Sequence, residues 1–268
     1  MADPQAQRIE IGDGAERRDI AVLRRPGAAP GLFWLSGLRS DMTGAKAGAL
    51  DAYGERRGFA VTRFDYSGHG QSGGDFSEGT ISRWLEEALA IFATTAGPQV
   101  VVGSSMGGWL ALLLNRAARL KGDERVRSMI LIAPAVDMTA DLMRDSFTRK
   151  QKKELKDTGV VLQPSDYGEP YALTRGLIDD GDQHLLFGRG IITGCPVTIL
   201  QGGQDKDVPK EHALKLVTHL LSDPVTFTLV PDGDHRLSRE QDLRLLEAAL
   251  DRAVDEAVPP QLSLDLDS

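Results

Sequence analysis

The sequence predicts an α/β fold in which a mostly parallel sheet is covered by helices on both faces. Short apolar runs at residues 32–35, 100–102 and 129–132 alternate with stretches whose apolar residues recur at helical spacing. Strands that are apolar along their whole length are typical of a sheet buried between two helical layers. At 268 residues the chain has a length that such folds commonly use for one domain. We therefore interpret residues 1–268 as a single domain.

The amino-terminal half follows this alternation in order. Residues 8–11 and 19–23 predict a β-hairpin around a Gly-Asp-Gly turn. The strand at 32–35 is followed by a helix from about Thr43 to Arg57 and by a strand over residues 59–64. A glycine-rich turn occupies residues 65–72, and Thr80 is a suitable N-cap for the next helix.

The alternation breaks between Asp137 and Thr193, where we predict a small helical cap inserted in the sheet domain. Helical pieces are expected at Ala140 to Asp157 and at Tyr171 to Phe187, and no strand is expected there. The sheet resumes with strands at 197–200 and 225–230, separated by a helix near residues 209–221. A final helix is predicted to open with a capping box at residues 238–241, and the acidic tail at 259–268 is expected to be flexible.

Composition narrows the class of protein. A net charge of −8 argues against nucleic acid or an anionic membrane as partner. The single cysteine, Cys195, excludes an internal disulfide and fits a reducing compartment. The first residues lack the pattern of a signal peptide, and no apolar stretch approaches the roughly 20 residues that span a bilayer. We expect a soluble, cytoplasmic protein, and the sequence leaves its oligomeric state open.

The pattern G-x-S-x-G at residues 103–107 centres on Ser105. It follows a valine-rich strand and precedes the apolar run 109–114, which is the strand–turn–helix context of a nucleophile elbow. A turn of small residues in an α/β protein would carry the same five letters by chance. The flanking strand and helix favour the interpretation that Ser105 is a catalytic nucleophile.

A serine nucleophile needs a base, and His235 is the histidine best placed for that role. In this architecture the order along the chain is serine, acid, histidine, and each follows a strand. His235 lies just after the strand at 225–230 and after the candidate acids. The other four histidines are assigned structural places: His69 to the glycine-rich turn, His184 to the cap, and His212 and His219 to a solvated helix face.

Asp205 and Asp207 compete for the acid, since both follow the strand at 197–200. Asp207 has a structural alternative as N-cap of the helix that begins near Pro209. The sequence therefore favours Asp205 as the residue that orients His235.

Two backbone amides are expected to form the oxyanion hole. One is the N–H of Met106, directly after the nucleophile, and the other comes from the loop after the strand at 32–35, where we choose Leu38. No cofactor or metal site is predicted, because the chain has one cysteine, scattered histidines and no H-E-x-x-H.

With these residues in place, the chain resembles the α/β-hydrolase family along nearly its full length. Residues 65–72 are similar to the family's D-x-x-G-x-G-x-S turn, and residues 202–209 to its G-x-x-D-x-x-V-P acid loop. Residues 64–68, 97–99, 102–109 and 234–236 are similar to a narrower group, the palmitoyl-protein thioesterases that also hydrolyse acyl glucuronides, and their bacterial relatives. Ser36-Gly37 stands where the family usually has His-Gly.

The resemblance and the predicted triad imply a serine hydrolase that cleaves small-molecule carboxylic esters or thioesters through an acyl-serine. The alternatives are an amide- or peptide-cleaving serine hydrolase, or a non-catalytic ligand-binding member of the same fold.

Two apolar clusters in the cap, Leu142–Met143–Phe147 and residues 185–187, either dock the cap or line an acyl pocket. The basic run at 149–153 either meets an anionic leaving group or forms a solvated helix face.

Overall fold

The computed structural model describes residues 6–163 and 170–257. Its strands are β1 (Gln7–Ile11), β2 (Arg18–Arg25), β3 (Ala28–Leu35), β4 (Phe59–Phe64), β5 (Gln99–Ser104), β6 (Val126–Ile132), β7 (Val160–Gln163), β8 (Tyr171–Thr174), β9 (Val197–Gly202) and β10 (Val225–Val230). Its α-helices are α1 (Ala45–Arg57), α2 (Ile81–Ala93), α3 (Met106–Leu120), α4 (Arg149–Thr158), α5 (Arg175–Gly181), α6 (Lys210–His219) and α7 (Glu240–Ala257).

Eight strands form one sheet in the order β1-β2-β4-β3-β5-β6-β9-β10. From β4 to β10 every neighbouring pair is parallel, whereas β2 pairs antiparallel with both β1 and β4. The predicted mostly parallel sheet is confirmed, and so is the opening hairpin. Because the strands from β4 to β10 run the same way, the loops at their carboxyl ends meet along one edge of the sheet.

Each strand feeds two apolar cores, one on each face of the sheet. On β3, Phe33 and Leu35 belong to one core and Leu32 and Trp34 to the other, because successive side chains point to opposite faces. The first core is closed by α2, α3 and α6, and the second by α1 and α7. This burial on both faces explains why the strands read as continuous apolar runs.

The segment 137–193 leaves the sheet after β6 and returns at β9. It contains a π-helix (Thr139–Arg144), α4 and α5, and also an antiparallel pair formed by β7 and β8. The expectation that this segment holds no strand is wrong, and Tyr171 begins a strand rather than a helix. Each strand has only four residues, too few for a period of two to stand out.

The sequence predicts the start of α2 correctly and the start of α7 incorrectly. Thr80 caps α2 as expected, since its side chain accepts a hydrogen bond from the Arg83 amide. The capping box at 238–241 is wrong: α7 begins at Glu240, and the Asp242 carboxylate accepts the Arg239 amide at 3.1 Å. The tail at 259–268 lies outside the described residues. Among the described helices, none is long and apolar enough to cross a membrane.

Candidate active site

Ser105 occupies a strained turn between β5 and α3, with φ 55° and ψ −119°. Glycines on both sides make this turn possible. A Cβ on Gly103 would lie 2.3 Å from the Gly107 carbonyl oxygen, and a Cβ on Gly107 would lie 2.0 Å from that of Leu35. Left-handed backbone at a non-glycine residue costs about 1–3 kcal/mol and persists where the surroundings enforce it. The strand–turn–helix predicted from G-x-S-x-G is present.

His235 connects Ser105 with Asp205. Its Nε2 lies 3.1 Å from the Ser105 Oγ, and its Nδ1 lies 2.8 Å from the Asp205 Oδ2. The three residues follow β5, β9 and β10, whose carboxyl ends share one edge of the sheet. The structure thus brings together the serine, acid and histidine that the sequence singled out.

The Asp205 side chain is fully buried, and protein donors satisfy it. Its Oδ1 accepts the amides of Asp207 at 2.9 Å and Val208 at 2.8 Å, while Gln201 Nε2 lies 3.3 Å from Oδ2. These donors compensate for the water that the carboxylate loses on burial. They also fix its plane, so that Oδ2 faces the imidazole.

Asp207 is exposed, and its expected role as a helix N-cap is wrong. Helix α6 begins at Lys210, and the residue at its N-cap position, Pro209, offers no side-chain acceptor. Asp207 instead contributes its amide to Asp205 and lines the cavity above Ser105.

Ligand atoms of Asp205, Asp207 and His235 lie within 4.8 Å of one another, so this group is able to approach a cation. Both nitrogens of His235 already have partners in Asp205 and Ser105. A metal would therefore have to displace one of those contacts.

The remaining histidines have structural partners, as expected, but His212 is not solvated and His219 is half-buried. His212 is buried, with Nε2 2.8 Å from the Val136 carbonyl oxygen, and His219 lies 2.9 Å from that of Phe187. His69 is buried among aromatic rings in the glycine-rich turn, and burial lowers its pKa to about 4. His184 Nε2 lies 2.7 Å from the Ser82 Oγ, which links the 137–193 segment to α2.

The loop after β3 lies against the nucleophile. A Cβ on Gly37 would stand 3.2 Å from the Ser105 Cβ and 3.9 Å from its Oγ, and Leu38 lines the cavity at Ser105. Met106 is the first residue of α3, so its N–H has no acceptor one turn earlier in the helix. Both expected oxyanion donors thus belong to backbone next to the serine.

A cavity of about 290 Å³ opens at Ser105 and His235 beneath the 137–193 segment. Leu142, Met143 and Phe147 line it, together with Met138 and Leu173. The second apolar cluster, at 185–187, docks the segment instead: the Phe187 ring packs against the imidazoles of His212 and His219 on α6. The two clusters that looked equivalent in sequence therefore have different places.

A second cavity, of about 350 Å³, also reaches Ser105 and His235. Its charged lining residues are Arg39, Asp41, Lys46 and Arg236. Among the described residues that line either cavity, none comes from the basic run at 149–153, which lies on α4, a helix without buried residues. Sequence reasoning missed Arg39 and Lys46, because a cation in a loop or a first helical turn gives no signal of its own.

Comparison with known proteins gives consistent matches. A family model described as serine aminopeptidase, S33, matches residues 47–176. The mitochondrial palmitoyl-protein thioesterase ABHD10 of Mus musculus is 33% identical over 90% of this chain and 80% of that protein. The Homo sapiens protein of the same name is 34% identical over 88% of this chain and 77% of its own length.

Solved structures agree with this. A crystal structure of a protein from Agrobacterium vitis S4 superposes with a TM-score of 0.90 at 46% identity, covering 94% of this chain and all of that one. Mouse alpha/beta hydrolase domain-containing protein 10 superposes with a TM-score of 0.83 at 32% identity, covering 94% of this chain and all of that one.

Proposed function

The chain belongs to the α/β-hydrolase family, and from this premise we propose that it is a serine hydrolase that cleaves carboxylic esters or thioesters through an acyl-enzyme on Ser105. The observation that carries the proposal is the pair of contacts made by His235, 3.1 Å to the Ser105 Oγ and 2.8 Å to the Asp205 Oδ2. Family membership supports the type of reaction, and these contacts support the residues.

The reaction follows from the contacts in two steps. The Ser105 Oγ attacks the carbonyl carbon while His235 Nε2 takes its proton, and collapse of the tetrahedral intermediate expels the alcohol or thiol with that proton. Water then attacks the acyl-serine, gives a proton to His235, and releases the carboxylic acid as the proton returns to Ser105. Asp205 holds the imidazole in the tautomer that leaves Nε2 free to accept.

The negative charge on the carbonyl oxygen needs fixed donors. We assign this role to the backbone N–H groups of Met106 and Leu38. The amino-terminal end of α3 adds its positive dipole at the same point. Since both donors are backbone groups, Ser36 in place of the family's histidine leaves this role intact.

We assign the 137–193 segment as a cap that forms the acyl side of the site. Leu142, Met143 and Phe147 present apolar surface to the cavity at Ser105, which suits an aliphatic acyl chain. The relatives named palmitoyl-protein thioesterases support acyl substrates of this kind.

Covalent labelling with a fluorophosphonate tests the proposal. We expect one adduct per chain on Ser105, and hydrolysis of 4-nitrophenyl esters and acyl thioesters by the wild-type protein. Ser105→Ala should lose the labelling and the hydrolysis of both kinds of substrate. A protein that resists labelling would be a non-catalytic member of the fold. Because the matching family model is described as an aminopeptidase, a 4-nitroanilide with the same acyl group is the control, and faster cleavage of it would assign amide hydrolysis instead.

We also propose a cytoplasmic location. Cys195 is buried, and burial raises the pKa of its thiol to about 11, which suits an unreactive thiol in a reducing compartment. The relatives' names place them in mitochondria. Fractionation of the source cells with an antibody against the chain decides between these compartments.

A further inference from the structure

Helix α1 begins in a way that local rules disfavour. Lys46 lies in its first turn, where the positive end of the helix dipole repels a cation. The N-cap residue is Gly44, which offers no side-chain acceptor, and the first turn holds no acidic residue. Sequences depart from such rules mainly at functional sites, which directs attention to what Lys46 contacts.

The Lys46 ammonium donates a hydrogen bond to the carbonyl oxygen of Arg236, the residue after His235. Lys46 also lines the second cavity together with Ser105 and His235. The charged groups that face it are Asp234 and Arg236 beside His235, Asp205 from the acid loop and Asp242 from α7. Three carboxylates and one guanidinium lie around it, and attraction by the carboxylates offsets part of the cost of burying the ammonium.

The loop that carries His235 is held toward β9 by the His235–Asp205 contact and by the Gln204 amide, which donates to the Gly233 carbonyl oxygen at 2.8 Å. Asp234 Oδ1 accepts the amides of Arg236 and Leu237, both at 3.1 Å, and Leu237 has a left-handed φ of 45°. Ser238 Oγ donates to the same Arg236 carbonyl at 2.9 Å. Lys46, 190 residues away in sequence, ties this loop to a different part of the fold.

We propose that Lys46 is a positioning residue for the catalytic base: by holding the Arg236 carbonyl, its ammonium keeps the His235 imidazole directed at Ser105. This role rests on the proposed hydrolase function. The first turn of α1 packs beside the sheet and gives Lys46 a fixed position. The loop that carries His235 includes strained backbone at Leu237, so it gains from an external anchor. Displacing a catalytic group by about 1 Å costs on the order of 100-fold in rate.

The proposal has a consequence for pH. Burial lowers the pKa of Lys46 to about 8, even though Asp234 and Asp205 oppose the shift. Raising the pH through 8 removes the proton, and the neutral amine is a weaker donor to the Arg236 carbonyl. Activity therefore declines above about pH 8, while the fold persists.

The experiment compares Lys46→Met and Lys46→Arg, with Lys152→Met on exposed α4 as the matched control. Each protein is assayed with 4-nitrophenyl butyrate from pH 6 to 10, and its melting temperature is measured at each pH. For Lys46→Met we expect kcat to fall at least about tenfold at pH 7 with KM within about twofold, and the decline above pH 8 to vanish. Lys46→Arg should restore kcat and keep it above pH 8, because a guanidinium stays charged there. Lys152→Met should match the wild type.

Two results would overturn the proposal. If Lys46→Met lowers the melting temperature but keeps the wild-type kcat and alkaline decline, Lys46 is structural. If Lys46→Arg declines above pH 8 as the wild type does, another group causes the decline. Should the wild type show no Ser105-dependent hydrolysis of any ester, the proposed function fails, and the role of Lys46 fails with it.

Discussion

The Val208 amide donates a 2.8 Å hydrogen bond to Oδ1 of Asp205, and this contact decides which oxygen of Asp205 faces His235. In Asp205→Asn the same amide selects the side-chain oxygen of the asparagine. The NH₂ group is then turned toward His235 Nδ1, which forces the imidazole proton onto Nε2. We expect kcat to fall by about 10⁴-fold, as when a triad aspartate becomes asparagine in a serine protease. Steady-state kinetics at matched melting temperature checks this.

The matched control is Asp207→Asn. Its carboxylate is exposed and its amide, which the substitution keeps, is the group that contacts Asp205. We expect a change in kcat of less than about tenfold. A larger loss in Asp207→Asn than in Asp205→Asn would exchange the two roles.

Ser105→Ala should abolish turnover while the protein stays folded. Removing a triad serine costs about 10⁶-fold in the best-studied hydrolase. Ser104 is buried in β5, and Ser104→Ala should cost far less, because His235 contacts Ser105 rather than Ser104. Equal losses in the two variants, with unchanged melting, would contradict the assignment of the nucleophile.

The size of the cavity at Ser105 should determine which acyl chain lengths are hydrolysed fastest. With 4-nitrophenyl esters of increasing chain length, we expect kcat/KM to rise from acetyl to a medium-length chain and then to level off. Each buried methylene contributes up to about 0.8 kcal/mol, or about fourfold. Leu142→Trp should bring the plateau to shorter chains, whereas Leu162→Trp, at an exposed cap position outside the cavity, should leave it unchanged. A preference for acetyl that falls with every added carbon would make the cavity residues structural.

His69 should make the fold sensitive to acid. Its pKa is lowered to about 4 by burial, whereas an ordinary histidine binds a proton near pH 6.5. Between these values the unfolded chain holds the extra proton, so the free energy of unfolding falls as pH falls from 6.5 to 4. The loss amounts to about 3 kcal/mol.

In His69→Phe the ring contacts with Tyr66 and Trp84 are kept and the titration is removed. Urea unfolding at several pH values should give a shallower acid decline for this variant. Its stability at pH 7 should be lower by about 1 kcal/mol, because the hydrogen bond to the Ser67 carbonyl is lost. Parallel curves for the two proteins would exclude His69 as the source. Other buried carboxyls contribute equally to both proteins and cancel in the comparison.

Hydrolysis should be independent of metal ions. His235 already contacts both Ser105 and Asp205, so a cation at the Asp205–Asp207–His235 group would compete with the catalytic contacts. We expect full activity after dialysis against a strong chelator. Activity that is lost on dialysis and regained with zinc would contradict the acyl-serine mechanism.

Sheet elements with strong patterns could be predicted closely from sequence. The strands at 59–64 and 225–230 have the predicted bounds. Both are rich in β-branched and aromatic residues, and Gly58 precedes the first strand while Pro231 follows the second. The sequence does not predict the β7–β8 pair, because each strand is too short for an alternating apolar pattern to be recognised. The two strands are stabilised by their pairing with each other, from Val160 opposite Thr174 to Gln163 opposite Tyr171. Tertiary contact decides such elements, and local sequence does not.

The same contrast holds within the site. Ser105, Asp205 and His235 could be found because each follows a strand in a fixed order along the chain. Lys46 could not, because its significance comes from a contact with residue 236, far away in sequence, and a lysine on a helix is usually solvated. Arg39, whose guanidinium lies 4.7 Å over the Tyr171 ring, was missed for the same reason.

The Asp137 carboxylate, shortly after β6, accepts the amides of Leu186 and Phe187, so the stretch between residues 137 and 187 begins and ends at one place. An insertion whose two ends lie side by side can lengthen, shorten or be exchanged without changing any pairing in the sheet. In the proposed enzyme, the reacting groups depend on the sheet, whereas the wall of the acyl pocket depends on this segment. Changes in this segment, in evolution or by design, can therefore alter which substrates are accepted while the positions of Ser105, Asp205 and His235 stay the same.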